Sequence, residues 1–365
     1  MPTYRYPPLV ESPADRVVES ILRQIAVRDD VLNEAKKRRR LICRLAMQHE
    51  AARRWYYSGS IAHGTHNAPL GDADCGVVLN RMFERFRAFG PDAEGAGKGP
   101  EEFIHMFAAF ILPRLRAEGY PDAELDLTGN RALKFVFNSA VDFDELGPVD
   151  PYVDLILGLT RRDGEGLWIP NRRKGGWDAS HPERHTELMT SVDPQPLVVH
   201  RAHINRLGKR AVKRDDVVDG RIQAMCSWNL GALSLGIVLE RKALATALAD
   251  FFAGASTAIA EGLTKDPAKV SDPSSLPEGV TLQIASARLA EMAAVVYASI
   301  GATNEFAARR ALAPLFGVEI DAIRERKKRV TIHPLNDALR SRNALAIGTA
   351  AGATVPLKRT RSDGD

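Results

Sequence analysis

The segment Asp72-Ala73-Asp74-Cys75-Gly76-Val77-Val78-Leu79 constrains this chain more than any other. Side chains of a strand alternate between its two faces, so Ala73, Cys75, Val77 and Leu79 form an apolar face while Asp72 and Asp74 share the opposite one. Two carboxylates a few ångströms apart repel each other and are costly to keep ionised. A cation between them removes that cost. Magnesium, a hard ion that takes oxygen ligands, suits the pair and also binds substrate phosphates. Two such ions roughly 3.5–4 Å apart can hold the attacking and the leaving oxygen of an in-line displacement.

That chemistry asks for a third carboxylate from a neighbouring strand, and Asp154 supplies one. It stands in Tyr152-Val153-Asp154-Leu155-Ile156-Leu157, where a lone charge is expensive without a partner. Asp142, Asp144 and Asp150 are rivals, but they fall in turn-like sequence. An Asp-x-Asp pair by itself fits a surface turn as well as a metal site. Upstream, Gly59-Ser60 weighs toward the metal reading. Glycine lets a backbone approach a triphosphate closely, and exposed N–H groups with a serine hydroxyl can hold phosphate oxygens.

Around this centre the periodicities predict a mixed α+β region followed by helices alone. Residues 14 to 50 read as one long N-terminal helix, with Ser12 as N-cap and Arg28-Asp29-Asp30, where the apolar stripe is weakest, as the place for a break or kink. Residues 101 to 118 read as a helix, and 132 to 138 and 152 to 159 as strands. Helices are expected over 200–214, 222–252, 282–300 and 304–316, interrupted by a loop over 264–279. The expected division is a core lobe over 1–200, a helical lobe over 201–330 and a mobile tail over 331–365.

Composition narrows the partners. A net charge of +4 on 365 residues allows a basic cleft but not a chain built to coat nucleic acid. Cys43, Cys75 and Cys226 show no zinc or disulfide spacing, and neither a signal peptide nor a membrane helix is legible. A cytoplasmic location is expected. The run Lys36-Lys37-Arg38-Arg39-Arg40 lacks interleaved aromatics and reads as a solvated helix face, with some residues reaching acidic neighbours or nucleotide phosphates. His181 and His185, four apart, could share a helix face as zinc ligands, but no further ligand lies nearby and packing is the better reading. Trp55-Tyr56-Tyr57 reads as core.

Gly59-Ser60-Ile61-Ala62-His63-Gly64-Thr65 followed by Asp72-Ala73-Asp74 resembles the signature of the polymerase-β-like nucleotidyltransferases. More narrowly, the chain resembles the cGAS/DncV-like nucleotidyltransferases of anti-phage signalling and animal innate immunity. The likeness continues through Leu167-Trp168-Ile169-Pro170-Asn171-Arg172, Ser180-His181-Pro182, Ser227-Trp228-Asn229-Leu230 and Ser271-Asp272-Pro273 to Pro314-Leu315-Phe316-Gly317.

The resemblance implies a polymerase-β-like core with a mixed sheet and a C-terminal helical lobe. It also implies two Mg2+ ions (or Mn2+) at Asp72, Asp74 and Asp154, and nucleotide binding by Gly59, Ser60, Lys209 and Ser227. The implied reaction makes a cyclic oligonucleotide from nucleoside triphosphates, without nucleic acid or membrane, for a downstream effector protein in anti-phage defence. A nucleotidyltransferase acting on an RNA or protein, or an inactive nucleotide-binding module, is the alternative.

Overall fold

The computed structural model describes residues 6–83, 86, 90–91, 99–162, 164–218 and 223–316. The N-terminal region forms two helices where one was expected: α1 (Pro13–Gln24) and α2 (Asp29–Ala46). Ser12 caps α1 through a reciprocal box with Asp15, and Pro13 occupies the first helical position. The chain breaks where the apolar stripe is weakest. Arg28 is extended, and its guanidinium pairs with Asp30 in the first turn of α2.

The sheet comprises β1 (Ala52–Tyr57), β2 (Asp72–Leu79), β3 (Glu124–Asp126), β4 (Ala132–Val136), β7 (Tyr152–Thr160), β8 (Leu167–Asn171) and β9 (Gly176–Ser180). Two short strands, β5 (Val141–Asp142) and β6 (Pro148–Val149), pair separately. The order is β1-β2-β7-β4-β3, with β8 and β9 branching from the end of β7. Among the strands of the described residues β2 and β7 pair in parallel, and the remaining pairs are antiparallel. Ala73, Cys75, Val77 and Leu79 share one face, as the alternation predicts, and bury it with Val153, Leu155 and Leu157 against α2 and α4 (Gly99–Ala117). Asp72 and Asp74 therefore emerge on the other face.

The remaining helices are α3 (Gly59–His63), α5 (Pro182–Thr190), α6 (Gln195–Val218), α7 (Ser227–Ile237), α8 (Leu244–Glu261), α9 (Leu282–Ile300) and α10 (Glu305–Phe316). The helix expected over 222–252 is two, because the charged stretch Glu240-Arg241-Lys242 falls between α7 and α8. α1 joins this helical layer: Val17, Val18, Ile21 and Leu22 pack with the cores of α8, α9 and α10. Asp15 ties it there by accepting the Ala245 N–H at 2.6 Å. The expected tail over 331–365, and all residues beyond 316, lie outside the described residues.

The basic run is only in part a solvated face. Lys37 and Arg40 are exposed, but Arg38 is fully buried and Arg39 nearly so. Arg38 bonds Glu34, Asp150 and the carbonyls of Pro151 and Ser139. Arg39 lies 3.9 Å over the ring of Tyr57, which stacks on Trp55. Of the Trp55-Tyr56-Tyr57 triplet only Tyr56 is fully core; Trp55 is 41% exposed because β1 is an edge strand.

Arg38 neutralises two carboxylates and joins α2 to the strand that carries Asp154. Removing one partner of a buried charge set leaves the others uncompensated, so Arg38→Leu should cost about 3–5 kcal/mol in denaturant unfolding. A loss below about 1 kcal/mol, the size of an exposed pair, would contradict this account.

Candidate active site

Parallel pairing sets Asp72 beside Tyr152 and Asp74 beside Asp154. Partners in register share a face, so Asp72, Asp74 and Asp154 project together from neighbouring strands. Burial, followed by the charges of Asp72 and Asp154, pushes the Asp74 carboxyl up to about 7. Burial and then Asp72 raise Asp154 to about 6, against the pull of Lys134. Lys134, opposite Asp154 on β4, is itself engaged by Asp126 at 3.3 Å and lies over Tyr152. The rival carboxylates stand elsewhere: Asp150 pairs with Arg38, Asp144 sits in a turn with φ 51°, and Asp142 is in the small hairpin.

This donor set fits a hard cation. Oxygen donors that resist ionisation for want of countercharge are what a divalent ion would relieve. Among the described residues no three His, Cys, Asp or Glu side chains already close into a metal cage. An ion here would complete its shell with water or substrate oxygens.

α3 follows β1 after one intervening residue, Ser58, and its first residue sits directly over Asp74. Gly59 has φ +69°, and any Cβ there would collide with the Asp74 carboxylate. The Gly59-Ser60 turn is thus the first turn of a short helix pressed against β2, rather than a free loop. Gly64 ends α3 with φ +69°, and Thr65 N–H returns to the Ser60 carbonyl at 2.9 Å.

Lys209 reaches this turn from α6. Its Nζ donates to the Thr65 carbonyl at 3.2 Å and to the Thr65 hydroxyl at 3.0 Å. Burial and the neighbouring Lys213 push the ammonium down to about 8, while Asp72 and Asp74 pull it up. Ser227, the first residue of α7, lines the same cleft as Lys209. His63, His185, Trp228 and Asn205 also line it, and none of them was assigned to the site from sequence. The spacing of His181 and His185 put both in view, but they part company. His181 caps α5 by accepting the Arg184 N–H, whereas His185 meets Asp266 from a loop 81 residues away.

No protein-family model matches the chain, and no curated protein matches it. Solved structures do. The GTP complex of CdnG, a CD-NTase from Bradyrhizobium diazoefficiens, superposes with a TM-score of 0.63 at 14% identity, over 84% of this chain and 96% of that one. CdnC with ATP from E. coli MS115-1 gives 0.57 at 15%, over 85% and 98%. DncV from Vibrio cholerae, a cyclic AMP-GMP synthase and prokaryotic cGAS homologue, gives 0.58 at 13%, over 84% and 96%. The architecture is that of a nucleotidyltransferase. Within that class, it is the cGAS/DncV-like nucleotidyltransferase fold. Among the described residues no helix is long and apolar enough to cross a membrane.

The raised carboxyls fix a pH dependence. A carboxyl near 7 when folded and near its ordinary 3.8 when unfolded holds more protons in the folded state between those values. Stability without metal therefore falls as pH rises from about 4 to 7, and the loss is complete above 7. Asp74→Asn should melt higher than wild type at pH 8 in EDTA, with the gap closing toward pH 4. An unchanged or lower melting temperature at pH 8 would refute the crowding of these charges.

Proposed function

We propose that the chain is a magnesium-dependent nucleotidyltransferase that joins nucleoside triphosphates into a cyclic oligonucleotide signal. The observation that carries the reading is the in-register Asp74–Asp154 pair beneath the Gly59-Ser60 turn, with Lys209 of the adjoining cleft bonded to Thr65 at the end of that turn's helix. Asp72, Asp74 and Asp154 would hold two Mg2+ ions, with Mn2+ an acceptable substitute. When bound, the metal neutralises the triphosphate and favours ionisation of the attacking hydroxyl.

The chain's own groups position the reactants. Gly59 and Ser60 bring backbone N–H and hydroxyl donors against the phosphates. Lys209 and Ser227 hold the same phosphates from the helical side, as a cation and a hydroxyl can. A ribose hydroxyl oxygen of one nucleotide attacks the α-phosphorus of another. The P–O bond to pyrophosphate breaks, and the hydroxyl proton is released. A second transfer closes the ring, and a downstream effector protein would sense the product in anti-phage defence. Catalysis of this kind is mainly positioning and charge stabilisation. Burial of Arg38 and Arg39 leaves few exposed cations on the basic run, which supports activity without nucleic acid.

The test is mass spectrometry of products from mixed triphosphates with Mg2+ alone. A cyclic, phosphatase-resistant product is expected, and Asp72→Asn with Asp74→Asn should abolish it while the fold persists by circular dichroism. Wild-type rates in that variant would reject the site. A strict requirement for an RNA or protein acceptor would move the assignment to macromolecule modification, and no magnesium-dependent pyrophosphate release at all would leave an inactive nucleotide-binding module.

A further inference from the structure

One buried carboxylate organises the loop between α8 and α9. The Asp266 side chain is 1% exposed and accepts the backbone N–H groups of Ala268, Val270 and Ser271 at 3.0, 2.9 and 2.7 Å. Its Oδ1 lies 2.6 Å from His185 Nε2. Burial works against the charge, yet the donors of Ser271, Val270 and Ala268, with His185, hold this carboxyl down at about 2. An ionised carboxylate only accepts, so the proton of the contact sits on His185 Nε2. In the neutral form of the ring the lone pair is then on Nδ1.

That Nδ1 has no hydrogen-bond partner among the described residues, and the imidazole stands on the wall of the cleft. It meets the indole of Trp228 edge to face at 5.9 Å, with Pro267 of the Asp266 loop also lining the cleft. A second tether fixes this geometry: Asn229, the residue after Trp228, donates from Nδ2 to Thr264 Oγ1 at 3.0 Å. The loop is therefore clasped both to α5 and to the start of α7.

We propose that His185, oriented by Asp266, reads the nucleoside part of the bound triphosphate by accepting a hydrogen bond at Nδ1 from a base N–H or a ribose O–H. The inference rests on the nucleotide-binding reading above. An indole face stacks on any base, so stacking alone discriminates weakly. A positioned acceptor does more, because a ligand lacking the matching donor leaves it unpaired in a confined site.

Two variants separate reading from clasping. In His185→Gln the side-chain amide can still donate to Asp266 from the Nε2 position but offers nothing at the Nδ1 position. In His185→Asn the amide oxygen can occupy the Nδ1 position but cannot reach Asp266. Calorimetric titration of the full chain with Mg2+ and non-hydrolysable analogues of ATP, GTP, CTP and UTP is the measurement. Wild type should prefer one base or lose affinity when a ribose hydroxyl is removed. His185→Gln should bind the preferred analogue about tenfold more weakly, without that discrimination, and melt near wild type. His185→Asn should keep the discrimination and melt lower.

Arms with a 2′-deoxy, a 3′-deoxy and an amine-free base analogue identify the donor, since its removal adds no further loss in His185→Gln. Nitrogen-15 NMR should place the neutral-ring proton on Nε2. Equal affinities of wild type and His185→Gln in every arm, or a proton on Nδ1, would overturn the proposal. If wild type binds no triphosphate, the nucleotide-binding reading itself falls, a result distinguishable from the others.

Discussion

Everything in the site depends on β2 and β7 pairing in parallel with Asp74 opposite Asp154. The register is enforced from the other face, where Ala73, Cys75 and Val77 bury against Val153, Leu155 and Leu157. A one-residue slip would turn the carboxylates into the core and the apolar residues out. The sheet thus holds like charges together that electrostatics alone would separate. Hydrophobic burial on one face offsets repulsion on the other, and the residual strain is what a cation would release.

The rest of the chain serves this arrangement at successive distances. Gly59 is tolerated over Asp74 only because it lacks a Cβ, and α3 can therefore lie across the carboxylate edge. Thr65, just beyond α3, receives Lys209 from α6, so the helical layer contributes its cation through a direct bond to the carboxylate layer. Arg38 braces β7 by satisfying Asp150 and the carbonyl of Pro151, four and three residues before Asp154.

Much of this was legible in the sequence because strand alternation is local. The faces of β2, the preference for Asp154 over Asp150, and the all-helical second half follow from spacing and burial costs. Helix boundaries were less legible. The break near Arg28 falls where the apolar stripe is weakest, but the charged corner at Glu240 to Lys242, which divides α7 from α8, was read as helix. The buried arginines were misread because their partners, Asp150 and Tyr57, come from distant elements. His185 was underrated for the same reason: its partner Asp266 is 81 residues away, and no local pattern links them.

The proposed nucleotidyltransferase activity has a central requirement, that the three carboxylates form one cation site within reach of phosphates held by Lys209 and Ser227. The most direct measurement is a crystal structure with Mn2+ and a non-hydrolysable triphosphate, recorded at a wavelength where manganese scatters anomalously. The account predicts an anomalous peak liganded by Asp72, Asp74 and Asp154, with the phosphates running beneath Gly59-Ser60 toward Lys209 and Ser227. Manganese bound elsewhere, or a triphosphate seated in the cleft with no metal at these carboxylates, would contradict it.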